Sequence, residues 1–134
     1  MEKITVVTVD DTKEWLFFHK KILTYLLANY DVDYITFSSA KDCHEFLTSY
    51  DGNVDLFITD LEMEPMEILA GEWLLLNTKD LPCLKNTIKL IISASPSIKR
   101  VSKTTDTPYL SKVNYHANPM LLKYKLERRF ANVK

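Results

Sequence analysis

Two rhythms alternate along this chain. Apolar runs of strand length, Ile4-Thr5-Val6-Val7-Thr8-Val9, Tyr34-Ile35-Thr36-Phe37, Val54-Asp55-Leu56-Phe57-Ile58-Thr59 and Lys89-Leu90-Ile91-Ile92, are separated by stretches with helical spacing. After Asp11, residues Trp15, Phe18, Ile22, Tyr25 and Leu26 form a helical stripe, with Asp11 or Thr12 as the candidate cap. Ser38-Ser39 caps a second helix that carries Ala40, Cys43, Phe46, Leu47 and Tyr50 on one face, and Asp51-Gly52-Asn53 stops it. A third helix is predicted from Gly71 to Lys79, ended by Asp80-Leu81-Pro82. Strand four runs from Thr87 to Ser93. Ser95-Pro96 then opens a short helix that fades into the turn-like Ser102-Lys103-Thr104-Thr105-Asp106. Strand five is Pro108 to Lys112, and Asn118-Pro119 caps a last helix with Leu122, Leu126 and Phe130 as its stripe. The segment from Leu61 to Ala70 is irregular and acidic.

Five strand–helix pairs use all 134 residues, with no repeat, linker or low-complexity segment, so one domain over residues 1–134 is expected. The alternation predicts an α/β protein with a parallel sheet, and right-handed crossovers place helices on both faces. Hydrophobic content of 46% and charged content of 26% are those of an ordinary globular protein. A net charge of -1 gives no global pull toward nucleic acid or a membrane surface. No apolar stretch approaches the roughly 20 residues a spanning helix needs. The N-terminus lacks a signal-peptide shape, and Cys43 and Cys83 are read as reduced, buried, small hydrophobes, which points to the cytoplasm. With only Gly52 and Gly71, no glycine-rich phosphate loop can be built.

The chemistry lies where the strands end. Run one is followed by Asp10-Asp11, run three by Asp60, run four by Ser93-Ala94 and run five by Lys112. Ligands of open α/β sheets bind at the carboxyl ends of the strands. Three carboxylates converging there without a cation would repel one another, and a hard divalent ion with oxygen ligands resolves that repulsion. An aspartate oxygen can also act as a nucleophile and form an acyl phosphate.

Strand ends reading Asp-Asp, Asp, Ser-Ala and Lys, in that order, resemble the receiver domain of two-component response regulators over essentially the whole chain. The resemblance implies a doubly wound, flavodoxin-like sheet of order 2-1-3-4-5, with its switch point between strands one and three. It implies Asp60 as phosphoacceptor, Asp11 as a direct Mg²⁺ ligand and Asp10 as the residue that orients the metal, with Mn²⁺ a possible substitute. Asp60 itself also contacts the metal, and the backbone carbonyl of Glu62 is then the third protein ligand. Ser93 matches the switch hydroxyl, Lys112 the lysine that contacts a phosphoryl oxygen, and Tyr109 the aromatic that changes rotamer. Such a module is a signalling domain rather than an enzyme. Its expected partners are a histidine kinase or histidine phosphotransfer protein upstream and a protein partner or output domain downstream, with neither nucleic acid nor membrane bound by this domain.

Departures from the family pattern fall beside the site. After the acceptor the chain reads Asp60-Leu61-Glu62-Met63-Glu64-Pro65-Met66-Glu67-Ile68-Leu69-Ala70-Gly71, longer than the family's Asp-x-x-Met-Pro-x-Met-Asp-Gly. Val113 follows Lys112 where the family has proline. The alternative reading is therefore a pseudo-receiver, an interaction module that keeps the fold without using phosphate. A haloacid-dehalogenase-type phosphohydrolase would want a second aspartate at position 62, which is Glu62. The side chain of Glu62 either tunes phosphate lifetime or is simply solvated, and Glu62, Glu64 and Glu67 read as a solvated loop. His19, His44 and His116 have no ligand spacing and are read as structural or exposed. Lys99, Arg100, Lys103, Lys123, Lys125, Arg128 and Arg129 read as a solvated basic face on the elements that receivers use for partners.

Overall fold

The structure, a computed structural model, describes residues 1–63 and 69–134. Five strands, β1 (Lys3–Val9), β2 (Asp31–Phe37), β3 (Leu56–Thr59), β4 (Ile88–Ser93) and β5 (Tyr109–Ser111), form one sheet in the order β2-β1-β3-β4-β5. Every neighbouring pair is parallel. The central strand β3 is buried at all four positions, as a strand covered on both faces must be. This is the doubly wound α/β architecture expected from the apolar runs.

Side-chain alternation along the strands divides the core into two layers. Val7, Val9, Phe57 and Ile91 face one way, against α2 (Ala40–Ser49), α3 (Ala70–Thr78) and α4 (Ile98–Thr105). Ile4, Val6, Leu56, Ile58, Leu90 and Ile92 face the other way, against α1 (Lys13–Leu26), α5 (Lys112–Ala117) and α6 (Leu121–Leu126). Among the described residues no helix is long and apolar enough to cross a membrane.

Several boundaries differ from expectation, each for a local reason. Helix α4 continues through Ser102-Lys103-Thr104-Thr105, where the hydroxyls of Thr104 and Thr105 find acceptors within the helix, the carbonyls of Arg100 and Val101 one turn back. It closes at Asp106, which takes left-handed backbone angles (φ 51°, ψ 47°) that aspartate tolerates better than most residues. Helix α5 has no counterpart in the sequence reading. Ser111 caps it by accepting the Asn114 amide at 3.1 Å, and Lys112 is its first residue rather than the last of β5. Helix α6 ends at Leu126, so Phe130 packs on Tyr30 from beyond the helix. The cap expected at Asn118-Pro119 moves to Met120. Cys43 and Cys83 are free and buried.

Candidate functional site

Register builds the site. In the β1–β3 ladder Val9 pairs with Thr59, and the Asp60 amide donates to the Val9 carbonyl at 3.0 Å. The next residue of each strand is therefore a carboxylate at the same level, Asp10 beside Asp60. Asp11 follows at once, and one carboxylate oxygen from each of Asp10, Asp11 and Asp60 lies within 4.8 Å of the others. Asp10 is fully buried and Asp60 only 5% exposed, while Asp11 faces solvent.

Lys112 reaches this cluster from α5. Its Nζ donates to Asp60 Oδ2 at 2.8 Å and lies 2.9 Å from Asp10 Oδ2. The second contact is an ion pair rather than an aligned hydrogen bond, since Asp10 Oδ2 has no hydrogen-bond donor among the described residues. The other carboxylate oxygens are held by the backbone. Asp10 Oδ1 accepts the Thr12 amide at 2.9 Å, and Asp60 Oδ1 accepts the Leu61 amide at 2.7 Å.

Burial raises the Asp10 pKa above the usual carboxylate range, opposed by Lys112 and reinforced by Asp60. For Lys112, burial disfavours the ammonium, but the hydrogen bond and charge of Asp60 and the close charge of Asp10 outweigh it and the pKa is raised. Lys112 is thus held cationic between two carboxylates.

A partner that the sequence reading missed completes the arrangement. The indole of Trp15 lies beneath Lys112, with Nζ 4.9 Å from the ring centroid, a cation–π distance. Trp15 belongs to an aromatic group with Phe18, His19 and Tyr115 that locks α1 to α5. Helix cap and indole together orient the lysine where Val113, 74% exposed, takes no part. Its only sequence signal is a tryptophan one turn after the acidic pair, and the helical stripe accounts equally well for that.

The remaining candidates surround this cluster. Ser93 ends β4 opposite Ser111, buried, its hydroxyl accepting the Ser95 amide at 3.1 Å. Tyr109, half-buried, opens β5 opposite Ile91 and packs on the core layer that contains α4. Neither side chain bonds to the three aspartates among the described residues. Glu62 is exposed, two residues beyond Asp60, and Met63 is buried. Glu64 and Glu67 lie outside the described residues. Gly71 returns the chain to the site. Its amide bonds to the Leu61 carbonyl at 2.9 Å, and a Cβ there would lie 1.9 Å from the Asp60 backbone oxygen. The lengthened loop therefore still ends in a glycine against the Asp60 peptide. His19 is buried, His44 half-buried and His116 exposed, none of them among the clustered oxygens.

The donor set suits a hard cation, since it offers only carboxylate oxygens and brings one from each of three residues within 4.8 Å of the others. Asp10, Asp11 and Asp60 are the residues that could hold Mg²⁺.

No protein-family model matches the sequence, and neither does any curated protein. Solved structures do. An uncharacterised protein from Neptuniibacter caesariensis is 28% identical with a TM-score of 0.63, over 84% of this chain and 78% of that one. The signal receiver domain of an HD-domain-containing protein from Pseudomonas fluorescens Pf-5 is 21% identical with a TM-score of 0.66, over 95% and 97% of the two chains. The isolated REC domain of RcsB from Salmonella enterica serovar Typhimurium is 20% identical with a TM-score of 0.64, over 83% and 78%. Strand order, helix placement and these likenesses agree: the chain has the fold of the response-regulator receiver domains.

Proposed function

We propose that this chain is a phosphoacceptor module of a two-component or phosphorelay system, with Asp60 as the residue that takes the phosphoryl group. The observation that carries the reading is the convergence of three carboxylate oxygens within 4.8 Å, one of them on the residue that Lys112 Nζ bonds at 2.8 Å. In the transfer, a carboxylate oxygen of Asp60 attacks phosphorus on a phosphohistidine of a histidine kinase or phosphotransfer protein. The P–N bond breaks as the P–O bond forms, and the imidazole leaves with the electron pair and is protonated from solvent. Lys112 follows the charge, passing from the carboxylate to an oxygen of the new phosphoryl group. Asp10, Asp11, Asp60 and the backbone carbonyl of Glu62 would hold Mg²⁺, which when bound neutralises phosphoryl charge and the acidic cluster.

Ser93 turns its hydroxyl from the Ser95 amide toward the phosphoryl group, and Tyr109 moves inward behind it. The surface of α4, β5 and α6 changes with them, and a downstream protein or output domain reads that change. The Salmonella REC domain, which shares this fold, was solved in the presence of the phosphomimetic BeF₃⁻, and the reading assigns this chain a ligand of the same class.

Intact mass after incubation with a small acyl-phosphate donor, with and without Mg²⁺, tests the proposal on the wild type and Asp60→Asn. The expected result is a Mg²⁺-dependent gain of one phosphoryl group that the substitution abolishes. No gain under any condition would refute it and leave a phosphate-independent interaction module.

A further inference from the structure

A second charged feature lies at the opposite end of the sheet. A solvent-open cleft of about 930 Å³ is bounded by the α3–β4 connection, the α4–β5 turn and the end of α6. Six cationic side chains line it, Lys79, Lys85, Lys89, Lys125, Arg128 and Arg129, against two carboxylates, Asp80 and Asp106. The four ion pairs among the described residues use none of these six. A chain of net charge -1 thus concentrates unpaired positive charge around one concavity.

The sheet contributes a backbone donor to the same place. Strand β5 pairs only with Ile91, Ile92 and Ser93 of β4, so the amino half of β4 has no neighbour on that side. The Ile88 amide bonds Asp55 on the β3 side and the Ile91 amide bonds Pro108 on the β5 side. Strand alternation then turns the Lys89 amide toward the β5 side, into the cleft. The Lys89 ammonium is half-buried, and burial lowers its pKa despite the opposing charge of Asp80. An anion seated beside it would relieve that strain.

We infer that this cleft is a binding site for a phosphate-bearing small molecule of mononucleotide size. Arginine forks and lysine ammonium groups are the side chains that recognise phosphate oxygens, and the Lys89 amide adds a neutral donor. Leu81, Pro82 and Ile88 give the cleft an apolar wall for the organic part. Asp80 and Asp106 can accept hydrogen bonds from hydroxyl or amino groups that inorganic phosphate lacks. The volume falls in the range of roughly 300–1,000 Å³ typical of small-molecule sites. The site is distinct from the acidic cluster, since it lies at the amino ends of β4 and β5 and Asp60 at the carboxyl end of β3.

The test is amide-resolved NMR titration of the full chain in Mg²⁺-free buffer with ATP, inorganic triphosphate, adenosine and a single-stranded oligonucleotide. Saturable shifts confined to the amides around Lys89, Asp106 and Arg128 are expected with ATP, weaker ones with triphosphate and none with adenosine. Arg128→Gln/Arg129→Gln, which alters only exposed side chains, should weaken ATP by about tenfold or more. Lys89→Met should do the same, while Lys20→Gln/Lys21→Gln, an equal charge change on α1, should leave affinity within about twofold. No shift with either phosphate probe, equal losses in the α1 control, or adenosine binding as tightly as ATP would overturn the inference. So would an oligonucleotide that binds more tightly than ATP and perturbs residues well outside the cleft, since the surface would then be a nucleic-acid face.

Discussion

Replacing Lys112 by methionine separates the two tasks of the acidic cluster, holding a cation and accepting a phosphoryl group. The ammonium lies 2.8 Å from Asp60 and 2.9 Å from Asp10, and both carboxylates are buried. At an effective dielectric of about 20, each contact represents roughly 5–6 kcal/mol of attraction, much of it offset by desolvation. Removing one member of a buried pair leaves the other charge uncompensated and costs about 3–5 kcal/mol. That is a large share of the roughly 5–15 kcal/mol that stabilises a domain. Urea unfolding followed by circular dichroism should show this loss without Mg²⁺. With Mg²⁺ at about ten times its dissociation constant, the variant should recover roughly 1.4 kcal/mol, and more than the wild type gains at the same concentration. Phosphoryl acceptance should nevertheless stay low, because no ammonium remains to pass from the carboxylate to the new phosphoryl oxygen. A loss under about 1 kcal/mol, or equal Mg²⁺ increments in both proteins, would refute the claim that Lys112 is the counter-charge of this cluster.

Trp15→Leu should slow phosphorylation at Asp60 by roughly 2- to 30-fold, the equivalent of a cation–π contact of about 0.5–2 kcal/mol. Trp15→Phe should retain most of the rate, and single-turnover kinetics with an acyl-phosphate donor would expose a purely structural indole if Phe and Leu proved alike. Gly71→Ala should lower stability by about 1–3 kcal/mol and impair phosphorylation, since its Cβ must displace the Asp60 peptide; wild-type thermal unfolding and wild-type rates together would contradict that. His19 provides the pH dependence: burial first, and then the Lys112 charge, lowers its pKa from 6.5 to about 3. The unfolded chain therefore takes up a proton at this residue between pH 6.5 and about 3 that the folded chain refuses. Stability is full above that window and falls through it, by up to about 1.4 kcal/mol per pH unit. In His19→Phe the slope of unfolding free energy against pH should lose about one proton, and an unchanged slope would assign the acid sensitivity elsewhere.

The strands were legible because parallel strands covered on both faces read as continuous apolar runs, and the residue after each run then falls at the reactive end of the sheet. That logic found Asp10, Asp60 and Ser93 without any contact being known. It placed Lys112 one element too early, because Lys112-Val113-Asn114-Tyr115-His116-Ala117 is too short to show a helical period, and its one buried apolar side chain is Tyr115. The hydroxyl-rich end of α4 looked like a turn because the bonds from Thr104 and Thr105 to the preceding turn leave no trace in hydrophobicity. Trp15 was recognised as core, but its second role depends on a lysine near the other end of the chain. The cleft was invisible for the same reason. Lys79 and Lys89 entered only as the end of a helix and the start of a strand run, and Lys125, Arg128 and Arg129 read as a solvated face until folding set them around one hollow.

The two margins of the sheet determine how copies of this protein can meet. The β2 margin is seven residues long and exposes Asp31 and Asp33, so a second β2 laid alongside would bring like charges together. The β5 margin is three residues long and passes directly into a helix, leaving too little ladder for a neighbour to extend. Strand addition is thus discouraged at both margins, and the exposed Phe17, Leu76 and Tyr124 lie on three different helices. Short or charged sheet margins of this kind are a means by which proteins limit the edge-to-edge pairing that leads to cross-β aggregation.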